Sequence, residues 1–520
     1  MLDLCIANGT IIDGSGQVAY CGSIGIKGNK IVECVHGFGA SLEARRVIDA
    51  AGKCVTPGFV DTHTHSDLML LWDRQHASAL HQGVTTEIIG QDGMSYAPMS
   101  TENIKTYARY AQGCNGLPRV GYQWNSVAQY LEEFRGCGIN VAYLMPHCAL
   151  RMENMGMARG DMNEEQMTRS LEMIRCAMAQ GAKGLSTGLS YLPNFFSSTQ
   201  EITQLCKEVA RQNGVFAIHL RTVFCDERFD AVDEALRICL DSGVKLHFSH
   251  FKTGVKNAGK SMELMEKIDC AAERGLSVSL ELYPYAFGAS LAQMFLPYWT
   301  LEKGQEQTLE YLGNEKIRKQ IAVEMDESGT LVDGVFSYLR KNEDYIGQSF
   351  SKVASLRRQT LGEMLCDLLN QEELCIGFYD NPVADAQTLH RIDLDMLELI
   401  KRPYYMVGSD AIFIGDTPHP RAFGCFAKMI RLAVENGFSL PMLINRMTKT
   451  PCERFGIEKR GELKTGNFAD VVIFDAAKVR EKADYGAPRR APEGIETVLV
   501  NGKIAVEDGH VTGIFNGMPV

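Results

Sequence analysis

Two histidines occupy alternate positions in the segment Asp-Thr-His-Thr-His, where they close an apolar run that starts at Gly58. Side chains two residues apart on a β-strand point to the same face, so His63 and His65 can approach one ion together. Imidazole nitrogen is a common ligand of zinc. An ordinary polar pair in a loop is the alternative, but the preceding apolar strand and the following Ser66 and Asp67 favour a metal site.

Two further histidines and one aspartate also stand at the ends of apolar runs. His219 ends GVFAIH, His250 ends KLHFSH and Asp410 ends PYYMVGSD. Taken singly, such a histidine is more often an ordinary core or surface residue whose hydrogen bonds are made by the protein or by water. Four histidines at strand ends are difficult to explain by packing, because buried polar groups require partners. Asp410 is either a helix N-cap or a ligand and general base that takes a proton from water at the metal.

The apolar runs that carry these residues alternate with helical stretches. Near-continuous apolar strands separated by helices predict a parallel sheet that is buried on both faces. Eight such runs predict an α/β fold with a (β/α)₈ TIM-like barrel, whose active-site residues lie at the carboxyl ends of the strands. A ninth run, ELCIGFYD at residues 373–380, leaves the strand count open. The eight runs are GFVDTHTH, GVTTEIIGQDG, NVAYLMPHCALR, GAKGLSTGLS, GVFAIHLR, VKLHFSHFK, SVSLELYPY and PYYMVGSDA.

The two ends of the chain have a different pattern. Residues 1–58 and 460–520 alternate short apolar runs with turns, including the Asn-Gly pairs that begin at Asn8 and Asn501. This pattern is typical of antiparallel strands joined by tight turns. We therefore predict one small β domain that is assembled from both termini.

The barrel domain is expected to cover residues 59–459. Within it, the stretch from about 286 to 355 is polar and helical and lacks a clear core strand. We interpret this stretch as an insertion of the kind that forms a lid, and the whole barrel domain as the catalytic one.

Composition excludes several classes of protein. The 520 residues include 53 Lys and Arg against 64 Asp and Glu, a formal net charge of −11, which argues against nucleic acid or an anionic membrane as the main partner. No apolar run approaches the roughly 18 to 20 residues of a transmembrane helix, and the first residues lack a secretory signal. The 16 cysteines form no Cys-x-x-Cys pair and several lie in apolar runs, which favours a reducing, cytoplasmic location.

A set of longer motifs extends over nearly the whole chain: PGFVDTHTH, GAKGLSTGLSY, HLR, SHFK, LYPY, GSDA, HPRAFGCF, MTKTPCERFGI and GNFADVVIFD. In these motifs the sequence resembles the amidohydrolase superfamily and, within it, the D-aminoacylase (N-acyl-D-amino-acid deacylase) group. The resemblance implies a barrel with a small β-sandwich domain built from both termini. It also implies zinc-assisted hydrolysis of an amide bond, with one or two Zn²⁺ ions per subunit.

The resemblance also implies roles for individual residues. His63 and His65 would line one metal position, His219 and His250 would hold the other, and Asp410 would be the catalytic base. In the family a Lys, a Tyr and an Arg grip the carboxylate of the substrate. Their counterparts here are Lys252, Tyr283 and Arg421.

A lone Lys, Tyr or Arg is usually a solvated surface residue. Lys252, Tyr283 and Arg421, however, lie at strand ends or close to Asp410 in the sequence. A hydroxyl and two cations suit the oxygens of an anion, so we favour a carboxylate clamp.

The sequence departs from the family pattern at the expected metal bridge. D-aminoacylases often carry a cysteine in a Gly-Asn-Cys-Gly turn, whereas this chain has Gly-Gln-Asp-Gly around Asp92. A carboxylate is a harder ligand than a thiolate and is expected to bind zinc less tightly. Asp92, which we include among the candidate metal ligands, has three open roles: to coordinate one ion, to bridge two, or only to hydrogen-bond a ligand. No carboxylated lysine is evident, because Ser186 stands at its expected position and Lys183 is out of register.

A second departure lies after the YPY motif, where relatives often place a serine one residue before Ser290. This shift is expected to alter the clamp and with it the substrate. Arg151 and Arg221 are basic residues that could meet an acidic substrate side chain. Pairing with carboxylates at the rim of the barrel is the interpretation that we favour for both.

Three functions are weighed from these observations. The leading hypothesis is metal-dependent hydrolysis of small N-acyl-D-amino acids to a carboxylate and a free D-amino acid. A cyclic-amide hydrolase, such as a dihydroorotase or hydantoinase, is the second, although the bridging lysine is missing. A non-catalytic barrel scaffold is the third. It predicts that some of the candidate metal-binding residues have been lost, but all of them are present. The acyl group, the side-chain preference and the oligomeric state stay open, and an oligomer is compatible with the sequence.

Overall fold

A computed structural model describes residues 1–39, 42–116, 121–221 and 230–520. Eight parallel strand positions form the barrel that the apolar runs predict. Each strand is buried almost throughout, because helices cover its outer face. In chain order the strands are Phe59–Asp61, Val84–Ile89, Asn140–Tyr143 continued by Met145–Pro146, Gly184–Gly188, Val215–His219, Lys245–Phe248, Val278–Leu282 and Tyr405–Val407.

Backbone hydrogen bonds close these strands into a ring. The Thr62 amide donates to the Val407 carbonyl at 3.4 Å, which joins the first strand to the last. The Leu144 amide donates to the Ile89 carbonyl at 3.0 Å, across the point where the third strand is interrupted. The predicted (β/α)₈ barrel is therefore confirmed.

Helices alternate with the barrel strands, and several begin with side-chain caps. The Asn-x-x-Gln pattern at Asn163 forms a capping box, in which Asn163 and Gln166 exchange hydrogen bonds of 2.9 Å with each other's amides. In the described part of the chain, no helix combines the length and apolarity needed to cross a bilayer. The described α-helices outside residues 286–380 are Met69–Trp72, Ala77–His81, Thr101–Asn115, Val127–Glu133, His147–Met155, Glu164–Ala179, Thr199–Arg211, Ala231–Ser242, Ser261–Glu273, Ala386–Ile400, Arg421–Glu435, Leu440–Met447 and Lys449–Arg454.

Both termini contribute to one nine-stranded sheet. The two halves meet where Cys54–Pro57 pairs antiparallel with Val471–Phe474. The sheet has its own apolar core, which includes Ile6, Ile24 and Leu499. Its other strands are Leu2–Ile11, Tyr20–Lys27, Lys30–His36, Ala44–Asp49, Ile495–Val500, Lys503–Glu507 and His510–Val511.

The two Asn-Gly pairs have different structures. Asn501 (φ 49°) and Gly502 (φ 76°) form the predicted turn between two antiparallel strands. Asn8 (φ 61°) instead lies inside Leu2–Ile11, at a shift in register with the neighbouring strand. The turn predicted at Asn8 is therefore wrong: a positive φ serves a β-bulge as well as a turn.

The ninth apolar run does not belong to the barrel sheet. Gly377–Asp380 is the central strand of a separate antiparallel sheet, between Ala289–Leu291 and Gly334–Tyr338. We therefore propose that the insertion extends from about 286 to at least 380, beyond the end expected at 355, and that it contains strands. Its helices are Gln305–Gly313, Glu315–Glu327, Phe350–Arg357 and Leu361–Gln371.

Candidate metal centre and active site

Four of the candidate ligands converge at the carboxyl ends of the barrel strands. His63, His65, Asp92 and Asp410 each offer one ligand atom, and these atoms all lie within 4.8 Å of one another. His65 Nε2 lies 3.3 Å from Asp410 Oδ1, and His63 Nε2 lies 3.6 Å from Asp92 Oδ1. All four residues are buried.

A second group shares Asp92 with the first. Asp92, His219 and His250 also present ligand atoms within 4.8 Å of one another. Asp92 Oδ2 lies 3.5 Å from His219 Nδ1 and 3.7 Å from His250 Nε2. The two facing nitrogens of His219 and His250 are 2.8 Å apart. Asp92 is thus the common member of two adjacent groups of possible ligands.

The donor set fits a metal ion. His63 Nε2 and Asp92 Oδ1 are buried and have no hydrogen-bond partner among the described residues. Buried polar atoms without partners are rare, because each costs its lost hydration. Imidazole nitrogens with carboxylate oxygens are a typical ligand set for zinc. A metal ion at this position would give these atoms the partner that they lack.

Unusual backbone conformations aim three of these side chains. Asp92 (φ 54°), His250 (φ 39°) and Asp410 (φ 52°) all lie in the left-handed region, which non-glycine residues adopt at a cost and which is concentrated at functional sites. Gly90 precedes Asp92 with φ 79°, and a Cβ there would lie 2.1 Å from the Leu144 carbonyl oxygen. The turn that carries Asp92 therefore requires glycine at this position.

Glu281 supports the metal ligands, although sequence analysis missed it. Glu281 Oε1 lies 2.8 Å from His63 Nδ1 and accepts a 2.7 Å hydrogen bond from the His250 amide, while Oε2 contacts His247 Nε2. Holding Nδ1 of His63 directs Nε2 towards the metal position. Burial raises the pKa of Glu281, but His247 and His63 outweigh burial and lower it to about 2. A lone carboxylate inside the apolar run SVSLELYPY was the signal in the sequence.

Asp410 is fixed and ionised. Its amide donates to the His63 carbonyl at 2.8 Å, and its Oδ2 lies 2.8 Å from Nη1 of the buried Arg421. Burial raises the pKa of Asp410, but Arg421 and the neighbouring His65 and His63 lower it well below its usual range. Asp410 is thus a carboxylate that can accept a proton beside the metal ligands.

The predicted carboxylate clamp is assembled in part around one aromatic ring. The guanidinium of Arg421 and the ammonium of Lys252 lie 4.6 Å and 4.5 Å from the centroid of the Tyr283 ring. Tyr283 and Arg421 line a cavity of about 280 Å³ that opens onto the metal ligands, but Lys252 is not among the described lining residues. Burial, followed by the charge of Arg421, lowers the pKa of Lys252 to about 7.

Ser186 and Lys183, the two residues considered for the position of a carboxylated lysine, have other contacts. Ser186 Oγ accepts from the Gly93 amide at 3.0 Å and so supports the Asp92 turn, while Lys183 Nζ points to the Gly456 carbonyl at 3.5 Å. Lys183 therefore provides no bridging carbamate.

The two candidate basic residues at the rim are paired with carboxylates, as expected. Arg151 Nη1 lies 2.8 Å from Glu201 Oε1, and Arg221 Nε lies 3.2 Å from Glu234 Oε2. Ser290, which follows the YPY motif, lines the cavity and its hydroxyl lies 3.2 Å from that of Tyr191.

Known proteins resemble this chain in sequence and in structure. D-aminoacylase of Alcaligenes xylosoxydans xylosoxydans is 29% identical over 98% of this chain and 96% of its own length. N-acyl-D-aspartate deacylase of the same organism is 30% identical over 98% and 93%. The crystal structure of N-acyl-D-glutamate deacylase from Bordetella bronchiseptica, complexed with zinc and a phosphonate inhibitor, matches with a TM-score of 0.81 and 27% identity over 100% of this chain and 99% of that chain.

The signature of one family covers most of the chain. The sequence matches the amidohydrolase family over residues 46–252 and 351–506. These segments include all the candidate metal ligands and both sides of the barrel closure. The chain therefore belongs to the amidohydrolase family.

Proposed function

We propose that the protein is a zinc-dependent amidohydrolase that cleaves N-acyl-D-amino acids to a carboxylate and a free D-amino acid. The observation that carries this proposal is the position of Asp92 between two groups of histidine ligands, next to the ion pair of Asp410 and Arg421. The names of its relatives, D-aminoacylase and the N-acyl-D-aspartate and N-acyl-D-glutamate deacylases, support the substrate class.

Five side chains besides the base would hold the metal. His63 and His65 face one position, His219 and His250 face the other, and Asp92 reaches both. Zinc in such a site acts as a Lewis acid that lowers the pKa of water and polarises a carbonyl oxygen. The protein contributes the convergence of these ligands, and Glu281 contributes their orientation.

Asp410 is suited to move the proton. Its Oδ1 faces the metal ligand His65, and its Oδ2 is held by Arg421. Because it is ionised, Asp410 can accept the proton of the attacking water and then donate it to the nitrogen of the leaving amine. Both transfers occur within the same small volume, so one fixed carboxylate serves both.

Arg421 and Tyr283 are placed to anchor the substrate carboxylate. Both line the cavity beside the metal ligands, and Lys252 adds positive charge on the same Tyr283 ring. An anchored carboxylate fixes the α-carbon relative to the scissile amide. This anchor, together with the walls of the cavity, provides a physical basis for selecting one enantiomer.

Hydrolysis assays on zinc-loaded protein test this proposal. N-acetyl-D-methionine should be cleaved much faster than N-acetyl-L-methionine, and faster than dihydroorotate or a 5-substituted hydantoin. Preference for a cyclic amide would favour the cyclic-amide alternative instead. Absence of both zinc and activity from protein purified without chelator would favour the non-catalytic scaffold.

A reducing, cytoplasmic location is part of the same proposal. All cysteines within the described residues are free thiols, and most of them are buried. Free buried thiols are typical of proteins that fold in a reducing compartment.

A further inference from the structure

Asp380 brings an additional carboxyl group into the substrate cavity. It ends the central strand of the insertion, Gly377–Asp380, and lines the cavity together with Tyr283 and Arg421. Two hydrogen bonds with Gly288 fix its position: the Asp380 amide donates to the Gly288 carbonyl at 3.0 Å, and the Gly288 amide donates to Asp380 Oδ2 at 2.8 Å. The carboxylate is therefore held by the backbone and not by a cation.

Among the described residues, Asp380 forms no ion pair with a lysine or arginine. Burial raises its pKa, while the more distant charges of Arg421 and Lys252 lower it. Arg421 is the one lysine or arginine among the described residues that line the cavity, and it is paired with Asp410. Within the described residues, no lysine or arginine nitrogen lies within 4.0 Å of the Asp380 carboxylate. Arg151 and Arg221 are paired with other carboxylates, so they supply no charge here.

This distribution disfavours an acidic side chain on the substrate. With Arg421 and Lys252 engaged at the α-carboxylate, a second carboxylate placed beside Asp380 would face a like charge. Bringing two carboxylates together in a partly buried site is unfavourable, since Coulomb interactions strengthen as water is excluded. The cavity therefore differs from one built for an N-acyl-D-aspartate or an N-acyl-D-glutamate.

Part of the cavity wall is apolar and suits an aliphatic stem. Met294, Phe295 and Phe378 line the same cavity. A Cβ built on Gly288 would lie 3.4 Å from Asp380 Oδ2 and 3.7 Å from the Tyr283 hydroxyl oxygen, so glycine keeps the space between these groups open. Long cationic side chains combine an apolar stem with a charged head, which matches this arrangement.

We propose that Asp380 is a specificity residue that binds a cationic substrate side chain, so that the preferred substrates are N-acyl derivatives of basic D-amino acids such as D-lysine. This inference rests on the proposed deacylase function and deepens it. The α-carboxylate binds at Arg421 and Tyr283, the stem lies along the apolar wall, and the ammonium group donates to Asp380. No new bond-making step is involved, because only the side-chain contact is added.

A substrate pair that differs in one charge tests the inference. N-acetyl-D-lysine and N-acetyl-D-norleucine share an aliphatic stem, but only the lysine derivative carries an ammonium group. On the zinc-loaded parent we expect the highest kcat/KM for the lysine derivative, a lower value for norleucine and the lowest for N-acetyl-D-glutamate. A parent that cleaves norleucine or glutamate derivatives better than lysine derivatives overturns the inference but leaves the deacylase function standing.

Asp380→Asn removes the charge and keeps an oxygen for the Gly288 amide. A hydrogen bond to a charged group is worth roughly one to two orders of magnitude, so kcat/KM for N-acetyl-D-lysine should fall about 10- to 100-fold, while the value for norleucine stays within a few-fold. Asp344→Asn is the matched control, since Asp344 is an exposed carboxylate of the same insertion. Equal losses on both substrates would show that Asp380 only supports the Gly288 turn.

Activity on N-acetyl-D-norleucine also reports whether the Asp380→Asn variant is folded. If the variant is unstable, the order of kcat/KM values on the parent protein tests the inference by itself. Failure of the parent to cleave any N-acyl-D-amino acid, the norleucine derivative included, would overturn the deacylase function and this inference together. The two failures are thus distinguished by the activity on norleucine.

Discussion

His63 Nδ1 lies 2.8 Å from Glu281 Oε1, and both side chains are completely buried. This contact turns Nε2 of His63 towards Asp92 and Asp410. A carboxylate behind a metal-binding histidine fixes the ring and raises its basicity. The contact links the seventh barrel strand to the first, so the orientation of the metal ligand depends on closure of the barrel.

The first prediction concerns this contact. Glu281→Gln removes the charge behind His63 and His250, and the affinity for zinc should fall by about 10- to 100-fold. Competition with a chromophoric chelator measures the affinity. Glu263→Gln, an exposed glutamate of helix Ser261–Glu273, is the control and should leave it unchanged. An unaltered zinc affinity in Glu281→Gln would show that the carboxylate does not orient the ligands.

The second prediction concerns the ligands of the second metal position. His219→Ala or His250→Ala removes one ligand next to Asp92, so both the bound zinc per subunit and the activity should fall. His390→Ala, at an exposed histidine of helix Ala386–Ile400, should change neither. Metal content by atomic emission is compared with turnover for each variant. Full zinc and full turnover in either ligand variant would refute the assignment.

The third prediction concerns the base. Asp410→Asn retains the shape but cannot accept a proton, and loss of a general base typically lowers the rate by about 10²- to 10⁴-fold. The variant also leaves the buried Arg421 without its anion, so the melting temperature should fall as well. Asp416→Asn, an exposed neighbour in the same loop, is the control. A kcat within a few-fold of the parent value would place the base elsewhere.

The fourth prediction separates two roles of Arg421. Arg421→Met removes a charge-assisted hydrogen bond worth roughly 1.5–3 kcal/mol, so kcat/KM for N-acyl-D-amino acids should fall by about one to two orders of magnitude. The matching amino-acid amides carry no carboxylate and should lose less. Equal losses on acid and amide would show that Arg421 acts only through the structure around Asp410.

The same variant tests the electrostatic effect of Arg421 on Asp410. Arg421 holds the pKa of Asp410 low, and the base is active only when ionised. Without Arg421 that pKa rises, so the acidic limb of the kcat/KM profile should move to higher pH on the amide substrate. An unshifted acidic limb would mean that ionisation of Asp410 does not limit the reaction.

The barrel could be predicted because its local signals agree with the final structure. Each of the eight strands is a near-continuous apolar run, and the parallel order follows from the helices between them. The ninth run has the same composition, and only its pairing with Ala289–Leu291 and Gly334–Tyr338 assigns it to the insertion. Pairing between segments distant in sequence leaves no local pattern, so the extent of the insertion could not be derived.

The site was predictable to a different degree. Histidines at strand ends are visible in the sequence because the strands position them, and His63, His65, His219 and His250 do converge. The shared position of Asp92 depends on a left-handed turn that composition does not reveal. Likewise, the sequence predicts Lys252 as a member of the clamp, but only the structure shows that it contacts the Tyr283 ring and is not among the residues that line the cavity.

The junction between the two ends of the chain has a consequence for biosynthesis. Cys54–Pro57 precedes the barrel strands in the sequence, but its partner strand Val471–Phe474 follows all of them. Until the partner strand has been synthesised, the N-terminal strands expose an unpaired edge, which can associate with other chains. The barrel can begin to assemble in this interval, while completion of the terminal domain has to wait until Val471–Phe474 has been synthesised. We therefore expect nascent chains that stall before residue 471 to be the species that most require a chaperone.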